Sequence, residues 1–592
     1  MPRSPVSGGH EQLLADCDDE QRLAITSDDA PLFVRAGAGS GKTRVLTRRV
    51  AWRIAEGSAA AGHTLVATFT RKAASELRQR LSSLGAGGPV TAGTLHAIAL
   101  AELRRLALDR GRSLPVVLDR RQRLLERLAA EGALPVKGRE GLAALVAEID
   151  WAKARLVDPA GYAAAATRAE RRSPLEPEVV AECFSVFELE KHRRGLLDFD
   201  DLLRRLAEEI AGDPDLAAAQ RWRFRHFFLD ELQDLSAAQL QLVEAWLGGR
   251  DDLFAVGDAD QAIYGWGGAL EEAFGELLTR YPQARVLDLQ ANYRSSPQIV
   301  SVAGALRGGR EAIACGREGA SPTLTAYPSA EEEATGVARA IAERRRHGLA
   351  ARDCAVLART NAQLRLLGEA LEREEVPTRA SLGAFLLDPE VAAALRTLRA
   401  AGSPEHLAVA LGELAAPRRG RSPAVAQLVE IAGDYLAIDP LPSGGGLVTH
   451  LRQSLATDPG PGVGDGVDLL SFHRAKGLEW PVVFVTGLEE GLVPVAHARS
   501  AAAKAEEARL LYVALSRAER ELHCSWAERR LLGGAERERH RSRLVEGPLA
   551  ALEPLGTEPQ GASAASRALA ESRAHLGRGA RRARSSKAPP RP

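Results

Sequence analysis

The sequence predicts an α/β protein built from two lobes, each a parallel β-sheet flanked by helices and interrupted by a helical insertion. Short apolar runs that alternate with helical stretches are typical of parallel strands, because such strands are buried on both faces. A first series of these runs lies at 31–36, 64–70, 224–230 and 252–258, and a second at 284–289, 323–329, 354–360, 467–473 and 481–487. Ala-, Leu-, Arg- and Glu-rich stretches with helical periodicity interrupt both series.

Composition shifts along the chain give the expected domain limits. We expect the first lobe at 1–98 and 196–283 with its helical insertion at 99–195, and the second lobe at 284–389 and 465–540 with a shorter helical insertion at 390–464. Pro- and Gly-rich segments such as DPLPSGGG mark loops in the second insertion. Residues 550–592 are rich in Ala, Ser, Gly, Arg and Pro, which predicts a disordered basic tail. That tail is either a solvated terminus or an extra electrostatic contact to nucleic acid or a partner.

The bulk composition is that of ordinary globular material. The 592 residues include 78 Lys and Arg against 78 Asp and Glu. A net charge of zero argues against a protein that is basic throughout, but it leaves room for a basic groove balanced by acidic surface elsewhere. The five cysteines have no C-x-x-C spacing and suggest no zinc or iron–sulfur site. The sequence contains no run of about 18 apolar residues, which a membrane span would need, so we expect a cytoplasmic protein.

The segment AGAGSGKT at 36–43 lies between an apolar strand and a predicted helix. This is the context of a phosphate-binding loop, in which backbone N–H groups and the positive end of the helix hold a polyphosphate. We expect Lys42 to reach the outer phosphates and the Thr43 hydroxyl to coordinate Mg²⁺. The first position is alanine where the strict pattern has glycine. The predicted nucleotide-binding residues of this loop are Ala36, Gly37, Ala38, Gly39, Ser40, Gly41, Lys42 and Thr43.

A second motif, FFLDELQD at 227–234, places two acids at the end of an apolar strand. Asp230, at the carboxyl end of the strand, can hold Mg²⁺. Glu231 can orient and deprotonate a water that attacks the γ-phosphate. A base aimed at water favours hydrolysis over phosphoryl transfer to a second substrate. Without the loop upstream, two solvated surface acids would be the simpler interpretation.

The segment AVGDADQAIYGWGGA at 255–269 combines two kinds of contact. Gln261 suits a phosphate or a water, whereas Tyr264 and Trp266 suit the flat ring of a base. The alternative for Trp266 is a core aromatic. If both kinds of contact are made, one loop connects nucleotide state with grip on a strand.

In order along the chain, ten blocks resemble the UvrD/Rep/PcrA-like DNA helicases of superfamily 1. The blocks are DDEQRLAIT, AGAGSGKTRVLTRRV, VATFTRKAASELRQRL, TAGTLHAIA, DFDDLL, FLDELQD, VGDADQAIYGWGGA, LQANYRSSPQIV, LLSFHRAKGLEWPVVFVTGLEEGLVP and EEARLLYVALSRAE. The resemblance covers about residues 12–530, and the family order of the blocks makes coincidence negligible. Departures from the usual residue occur at Leu95, Gly267 and Ser516.

The resemblance implies two RecA-like lobes that bind ATP and Mg²⁺ in the cleft between them. For the nucleotide it implies Gln21 at adenine, Arg44 and Tyr293 packed near the base, Glu479 at the ribose, and Thr43 and Asp230 at Mg²⁺. For catalysis it implies Glu231 as general base, Gln261 at the γ-phosphate or its water, and Arg294 and Arg517 as arginine fingers. It places Phe69, His96, Tyr264 and Trp266 along the DNA strand, with a structural role as the alternative for Phe69, His96 and Trp266.

The function implied is ATP-dependent 3′→5′ movement on single-stranded DNA, with duplex unwinding at single-strand/double-strand junctions in DNA repair or replication. The expected state is a monomer or a DNA-induced dimer, associated with the nucleoid and without membrane contact. Residues 390–464 are much shorter than the family's 2B insertion, so a translocase that clears bound proteins without processive unwinding is the alternative. A DNA-independent ATPase switch or nucleotide kinase is a third possibility, which the aromatics and the two-lobe layout disfavour.

Overall fold

The computed structural model describes residues 7–86, 88–118, 121–269, 273–307, 312–379, 388–401, 403–416, 423–438, 442–448, 451, 465–532 and 535–546. The strands are β1 (Leu32–Ala36), β2 (Thr64–Thr68), β3 (Thr91–Thr94), β4 (Val116–Val117), β5 (Leu196–Leu197), β6 (His226–Leu229), β7 (Leu253–Gly257), β8 (Arg285–Leu289), β9 (Ala291–Asn292), β10 (Ile313–Ala314), β11 (Thr323–Tyr327), β12 (Cys354–Ala358), β13 (Asp468–Ser471), β14 (Trp480–Val485), β15 (Ala518–Ala527), β16 (Arg529–Leu532) and β17 (Ala535–Glu538). The helices are α1 (Ser7–Leu14), α2 (Asp19–Thr26), α3 (Lys42–Glu56), α4 (Arg71–Ser83), α5 (Leu95–Asp109), α6 (Arg121–Ala130), α7 (Gly138–Ala154), α8 (Tyr162–Arg168), α9 (Pro177–Arg193), α10 (Phe199–Gly212), α11 (Pro214–Arg223), α12 (Ala237–Leu247), α13 (Ala273–Arg280), α14 (Pro297–Gly304), α15 (Ala330–Arg346), α16 (Asn361–Arg373), α17 (Pro389–Ala400), α18 (Pro404–Ala415), α19 (Pro423–Ile438), α20 (Ala501–Leu515) and α21 (Arg543–Glu546).

The first sheet is parallel, with the strand order β3–β2–β6–β7–β1–β8. Strand β1 lies between two partners, with Val34 opposite Val256 of β7 and Leu287 of β8. Strands β2, β6 and β7 are buried along their whole length, since helices cover both faces of the sheet. Because the carboxyl ends of parallel strands meet at one edge, the loops that follow β1, β6 and β7 come together there.

The second sheet is also parallel, with the order β11–β15–β14–β12–β13. Val356 of β12 lies between Phe484 of β14 and Leu469 of β13. A hydrophobic cluster of this lobe extends to Ala38 and Ile263 of the first, so the two lobes share apolar contacts at the cleft. Two parallel sheets flanked by helices confirm the predicted fold class.

Two of the predicted domain limits are wrong. Strand β8 was assigned to the second lobe, but it pairs with β1 at the edge of the first sheet. The limit at residue 99 falls inside α5, whose Ile98, Leu100, Leu103 and Leu106 pack in the core of the first lobe. In both cases the lobe to which the element belongs was set by contacts that local sequence does not reveal.

Both insertions are helical where they are described. Helices α6 to α9 enclose their own cluster, centred on buried Ile149, Phe184 and Phe187. Helices α17 to α19 enclose a smaller cluster that includes buried Tyr435. The Arg104 guanidinium on α5 lies 3.4 Å from the Tyr435 hydroxyl, so the second insertion touches the first lobe. The predicted tail at 550–592 lies outside the described residues.

Local sequence accounts for the helix that matters most to the site. Helix α3 follows Gly41, which has a φ of 84°, and is followed by Gly57, which has a φ of 81°. Both residues occupy the left-handed region that glycine adopts without a side-chain penalty. The helix therefore starts at Lys42, inside the predicted phosphate-binding loop motif, and its last residue is Glu56. Among the described helices, none combines the length and hydrophobicity that a membrane crossing requires.

Candidate nucleotide and DNA sites

The phosphate-binding loop connects the end of β1 to the start of α3, as predicted. Gly39 has a φ of 73°, and a β-carbon there would lie 2.6 Å from Asn292 Oδ1 and 2.8 Å from Arg294 Cβ. Conformation and space therefore both require glycine at this position. The Asn292 amide also donates to the Ala38 carbonyl at 2.8 Å. The QANYRSS segment thus packs directly against the loop.

Lys42 folds back across the phosphate loop. Its Nζ donates to the Ala36 carbonyl at 3.3 Å and lies 4.0 Å from Asp258 Oδ2. Both distances exceed the 2.7–2.9 Å of a strong charge-assisted hydrogen bond. The ammonium group can therefore exchange these partners for phosphate oxygens at small cost.

Strand β6 brings Asp230 and Glu231 to the same edge of the sheet. Burial and the neighbouring Glu231 raise the pKa of Asp230 to about 7. Burial acts to raise the pKa of Glu231 too, but the positive charges of Lys42 and Lys476 outweigh it and lower that pKa. Glu231 therefore remains ionised at neutral pH, which suits a group that orients a water. Its φ of 52° lies in the left-handed region, a strained conformation of the kind found at functional sites.

Asp230 has the surroundings of a ligand for a divalent cation. It accepts from the Glu231 N–H at 3.0 Å and, weakly, from Thr68 Oγ1 at 3.5 Å. A raised pKa indicates that too little positive charge surrounds a buried carboxylate. A bound cation would supply that charge. Thr43 lies in the first turn of α3, at the start of the same cleft. Carboxylate and hydroxyl oxygens are donors that Mg²⁺ accepts, so the residues fit the metal.

Gln21 on α2 reaches the phosphate loop from the predicted adenine side. Its Nε2 donates to the Ser40 carbonyl at 3.0 Å, and its Oε1 is buried without a hydrogen-bond partner among the described residues. An unpaired buried acceptor costs about 1–3 kcal/mol, and the amino group of adenine could satisfy it. Tyr293 is 42% exposed, and its hydroxyl donates to Asp18 Oδ2. Arg44 lies in the first turn of α3, beside the loop.

The two predicted arginine fingers reach the cleft with different partners. Arg294 forms an ion pair of 2.5 Å with Glu479 and donates to the Ser516 carbonyl at 3.3 Å. Arg517 is buried, and its Nη2 lies 3.4 Å from Gln261 Oε1. Burial, reinforced by nearby Arg294, lowers the pKa of Arg517 to about 9, so this guanidinium is still protonated at neutral pH. The structure therefore brings Arg517 and Gln261 together. Glu479, predicted to lie at the ribose, pairs with Arg294.

Four cations of the second lobe hold three consecutive residues of the loop after β7. Arg307 Nε donates to Asp260 Oδ2 at 2.8 Å, Lys476 Nζ to the Gln261 carbonyl at 2.6 Å, Arg517 Nη2 to Gln261 Oε1 at 3.4 Å and Arg509 Nε to the Ala262 carbonyl at 2.7 Å. The sequence predicted a role for Arg517 alone. Lys476 and Arg509 lie inside the motif blocks and could have been found there, whereas Arg307 lies beyond every block.

Two of the predicted DNA-binding aromatics meet next to this loop. The rings of Phe69 and Tyr264 stack with centroids 5.1 Å apart and planes at 22°. Lys476 Nζ lies 5.3 Å from the centroid of the Tyr264 ring, and the Tyr264 hydroxyl donates to the His473 carbonyl at 3.4 Å. Both rings are half-buried, so part of each remains accessible to a base.

The other two predicted DNA contacts are His96 and Trp266. His96 stacks on Phe199 at 4.0 Å, and its Nε2 lies 3.8 Å from Asp200 Oδ1. The backbone of Trp266 forms a short 3₁₀ turn, Gly265–Gly267, but its side chain lies outside what the structure describes. The contacts of Phe69, His96, Tyr264 and Trp266 with DNA all stay predictions.

Replacing Trp266 with alanine is expected to weaken DNA stimulation of ATP turnover more than basal turnover. Loss of one base–aromatic stack costs about 1–3 kcal/mol, which corresponds to roughly 5- to 150-fold weaker DNA binding. The measurement is ATP turnover against oligonucleotide concentration. Trp222, whose side chain is exposed on α11, supplies the matched control as Trp222→Ala. Equal losses in basal and stimulated turnover for Trp266→Ala would identify Trp266 as a core aromatic.

The fold and the site define a two-lobed P-loop ATPase. The loop after β7 contributes Gln261 to its nucleotide cleft and Tyr264 to the stack with Phe69. Comparison with known families matches residues 17–282 to the UvrD/REP helicase N-terminal domain. It matches residues 287–408 and 419–529 to the UvrD-like helicase C-terminal domain. The chain belongs to the UvrD/Rep helicase family.

Individual relatives agree with this assignment. The chain is 37% identical to ATP-dependent DNA helicase UvrD2 of Mycobacterium tuberculosis, over 95% of this chain and 86% of that protein. It is 30% identical to UvrD1 of the same organism, over 89% and 84%, and 28% identical to DNA helicase II of Escherichia coli, over 90% and 87%. Members of this family are ATP-dependent DNA helicases, so the chain is an ATPase that acts on DNA.

Proposed function

We propose that the chain moves 3′→5′ on single-stranded DNA and couples ATP hydrolysis to duplex unwinding at single-strand/double-strand junctions during DNA repair or replication. The observation that carries this proposal is the loop after β7. Gln261, in contact with Arg517, is separated by only two residues from Tyr264, which stacks on Phe69. A shift of this loop with nucleotide state would therefore move a base-stacking surface. The 3′→5′ direction is carried over from the family.

For the hydrolysis step we assign each group a task. Thr43 and Asp230 hold Mg²⁺, which neutralises charge on the terminal phosphates when bound. Glu231, ionised at neutral pH, orients the attacking water and accepts its proton. Lys42, Arg294 and Arg517 stabilise negative charge that develops on the γ-phosphate. Because both arginines belong to the second lobe, hydrolysis requires the lobes to close.

Magnitudes explain why nucleotide turnover is needed. Stacking one base on an aromatic contributes about 1–3 kcal/mol. Opening one base-pair step loses on the order of 1.4 kcal/mol of duplex stacking. Since these two free energies are comparable, binding alone cannot drive steady unwinding. Alternating grip that is timed by ATP hydrolysis can make the movement directional.

Single-stranded DNA is expected to raise the steady-state rate of ATP hydrolysis at least tenfold. The reason is that a strand held by Phe69 and Tyr264 would favour the lobe arrangement that Arg517 needs. The assay compares turnover without DNA, with an oligonucleotide and with blunt duplex. Turnover that does not respond to any polynucleotide would refute the proposal and favour the DNA-independent ATPase.

The second candidate is a translocase that removes bound proteins without processive unwinding. The small second insertion favours it, because the described helices there, α17 to α19, form only one compact cluster. Strand displacement on 3′- and 5′-tailed duplexes, beside streptavidin release from end-biotinylated strands, distinguishes the two. Streptavidin release without strand displacement supports the translocase, and activity on 5′ tails only would contradict the proposed direction.

For the assembly we propose a monomer that can dimerise on DNA, located with the nucleoid through its substrate. Sedimentation with and without a 3′-tailed duplex measures the state directly. If unwinding required two protomers, its rate would rise with the square of protein concentration at low occupancy.

A further inference from the structure

Arg307 makes an unusual set of contacts for a residue outside every motif block. It ends the 3₁₀ turn Ala305–Arg307 that follows α14. This turn and α14 both pack against α20 of the second lobe. The Arg307 side chain nevertheless reaches into the cleft and is only 11% exposed.

The guanidinium of Arg307 touches three functional elements at once. Its Nε donates to Asp260 Oδ2 at 2.8 Å. Its Cζ lies 5.6 Å from the centroid of the Tyr512 ring, which is a cation–π contact. A β-carbon on Gly37 of the phosphate loop would lie 3.6 Å from Arg307 Nη1. One side chain of the second lobe thus rests on the phosphate loop, on the loop after β7 and on α20.

Two of these contacts connect Arg307 with Gln261 and Arg517, the pair on which ATP hydrolysis is proposed to depend. Asp260 precedes Gln261 in the 3₁₀ turn Ala259–Gln261, so the turn held by Arg307 is the one that aims Gln261. The Gln261 amide donates to Asp258 Oδ2 at 2.6 Å, which fixes the other side of the same turn. Tyr512 lies on α20, the helix that ends just before Arg517.

We infer that Arg307 is a positioning residue that aligns Gln261 with Arg517 when the lobes close, and that it thereby sets the rate of DNA-stimulated hydrolysis. This inference rests on the proposed function. Arg307 acts through Asp260 and Tyr512, because its Nε donates to the carboxylate and its guanidinium lies over the ring. It is therefore expected to influence kcat rather than the affinity for ATP.

The test is Arg307→Met, which keeps an unbranched apolar stem but removes the guanidinium with its charge and donors. The DNA-stimulated kcat is expected to fall about tenfold or more, the size expected for losing a hydrogen bond between charged groups, with KM for ATP within about twofold of wild type. Asp260→Asn should give a similar loss, and the double variant should lose little more, because both remove one interaction. Arg307→Lys, which retains the charge, should recover part of the rate.

Arg344 offers a matched control in the second lobe. Its Nε donates to Glu521 at 2.9 Å and its Cζ lies 5.6 Å from the Phe484 ring centroid, so Arg344→Met removes the same kinds of contact away from the cleft. A kcat for Arg307→Met no lower than that of Arg344→Met would overturn the inference. A KM for ATP that rises as much as kcat falls would also overturn it, by showing direct contact with the nucleotide. Absence of DNA stimulation in the wild-type protein would instead refute the proposed function.

Discussion

Arg517→Ala is expected to lower the DNA-stimulated kcat by about 10³- to 10⁵-fold, the range of an arginine finger. Arg517 is the predicted finger whose guanidinium contacts Gln261, and it remains protonated at neutral pH despite its burial. Without it, charge that develops on the γ-phosphate loses its partner from the second lobe. Affinity for a fluorescent ATP analogue should change far less than kcat, because most of the predicted phosphate contacts belong to the first lobe. Single-turnover hydrolysis with saturating DNA makes the measurement.

Because Arg517 is buried, its replacement by alanine also removes hydrogen bonds to the Val513 and Leu478 carbonyls. Arg530 supplies the control, since it is also buried in the second lobe and pairs with Glu333 and Glu489. Arg530→Ala should lower Tm but leave the kcat of the folded protein within a few-fold of wild type. If a folded Arg517→Ala protein lost no more than tenfold in kcat, Arg517 would not be a finger.

Lys42→Ala is expected to reduce ATP turnover to less than about 1% of wild type while DNA binding is retained. Removal of one preorganised charge or donor from a phosphoryl site costs about 10²- to 10³-fold in kcat. DNA affinity should persist, because Phe69 and Tyr264 stack on each other without involving Lys42. Turnover and fluorescence anisotropy of a labelled oligonucleotide, measured on one preparation, give both quantities.

Lys137 provides the lysine control, because it is exposed at the start of α7 in the first insertion. Lys137→Ala should match wild type in both assays. Joint loss of turnover and DNA binding in Lys42→Ala would indicate misfolding, which circular dichroism would reveal. Turnover above a tenth of wild type would mean that the loop at 36–43 is not the hydrolytic site.

The two substitutions probe opposite walls of one cleft. Lys42 belongs to the first lobe and is held loosely, at 3.3 Å from a carbonyl. Arg517 belongs to the second lobe and donates to two backbone carbonyls. A loosely held lysine in the first lobe and a firmly held arginine in the second are consistent with a site that is complete only when the lobes close.

Much of the architecture was predictable because the evidence for it is local. The phosphate loop falls at the predicted residues and is followed by the predicted helix, since glycines at left-handed positions and an apolar strand upstream are short-range signals. The failure at β8 shows the limit of such signals. An apolar run indicates a strand, but the pairing of β8 with β1 depends on packing between residues about 250 positions apart.

The candidate site shows the same division. Motif blocks identified Gln261 and Arg517, and the structure places them in contact. They did not indicate that Phe69 and Tyr264 stack on each other, nor that Glu479 pairs with Arg294. They gave no reason to consider Arg307, which is an ordinary surface arginine in its local sequence.

The sequence by itself determined that this chain has a phosphate loop, a pair of acids, two arginines and a loop that combines an amide with aromatics. Spacing of residue types along a strand–turn–helix unit is enough to specify such chemistry. Only the tertiary structure decided that the second lobe grips residues 260–262 with four cations and that Arg307 is one of them. The physical reason is that the partner of a charged side chain depends on distance and burial in the folded chain. Neighbouring residues in the sequence specify neither the distance nor the burial.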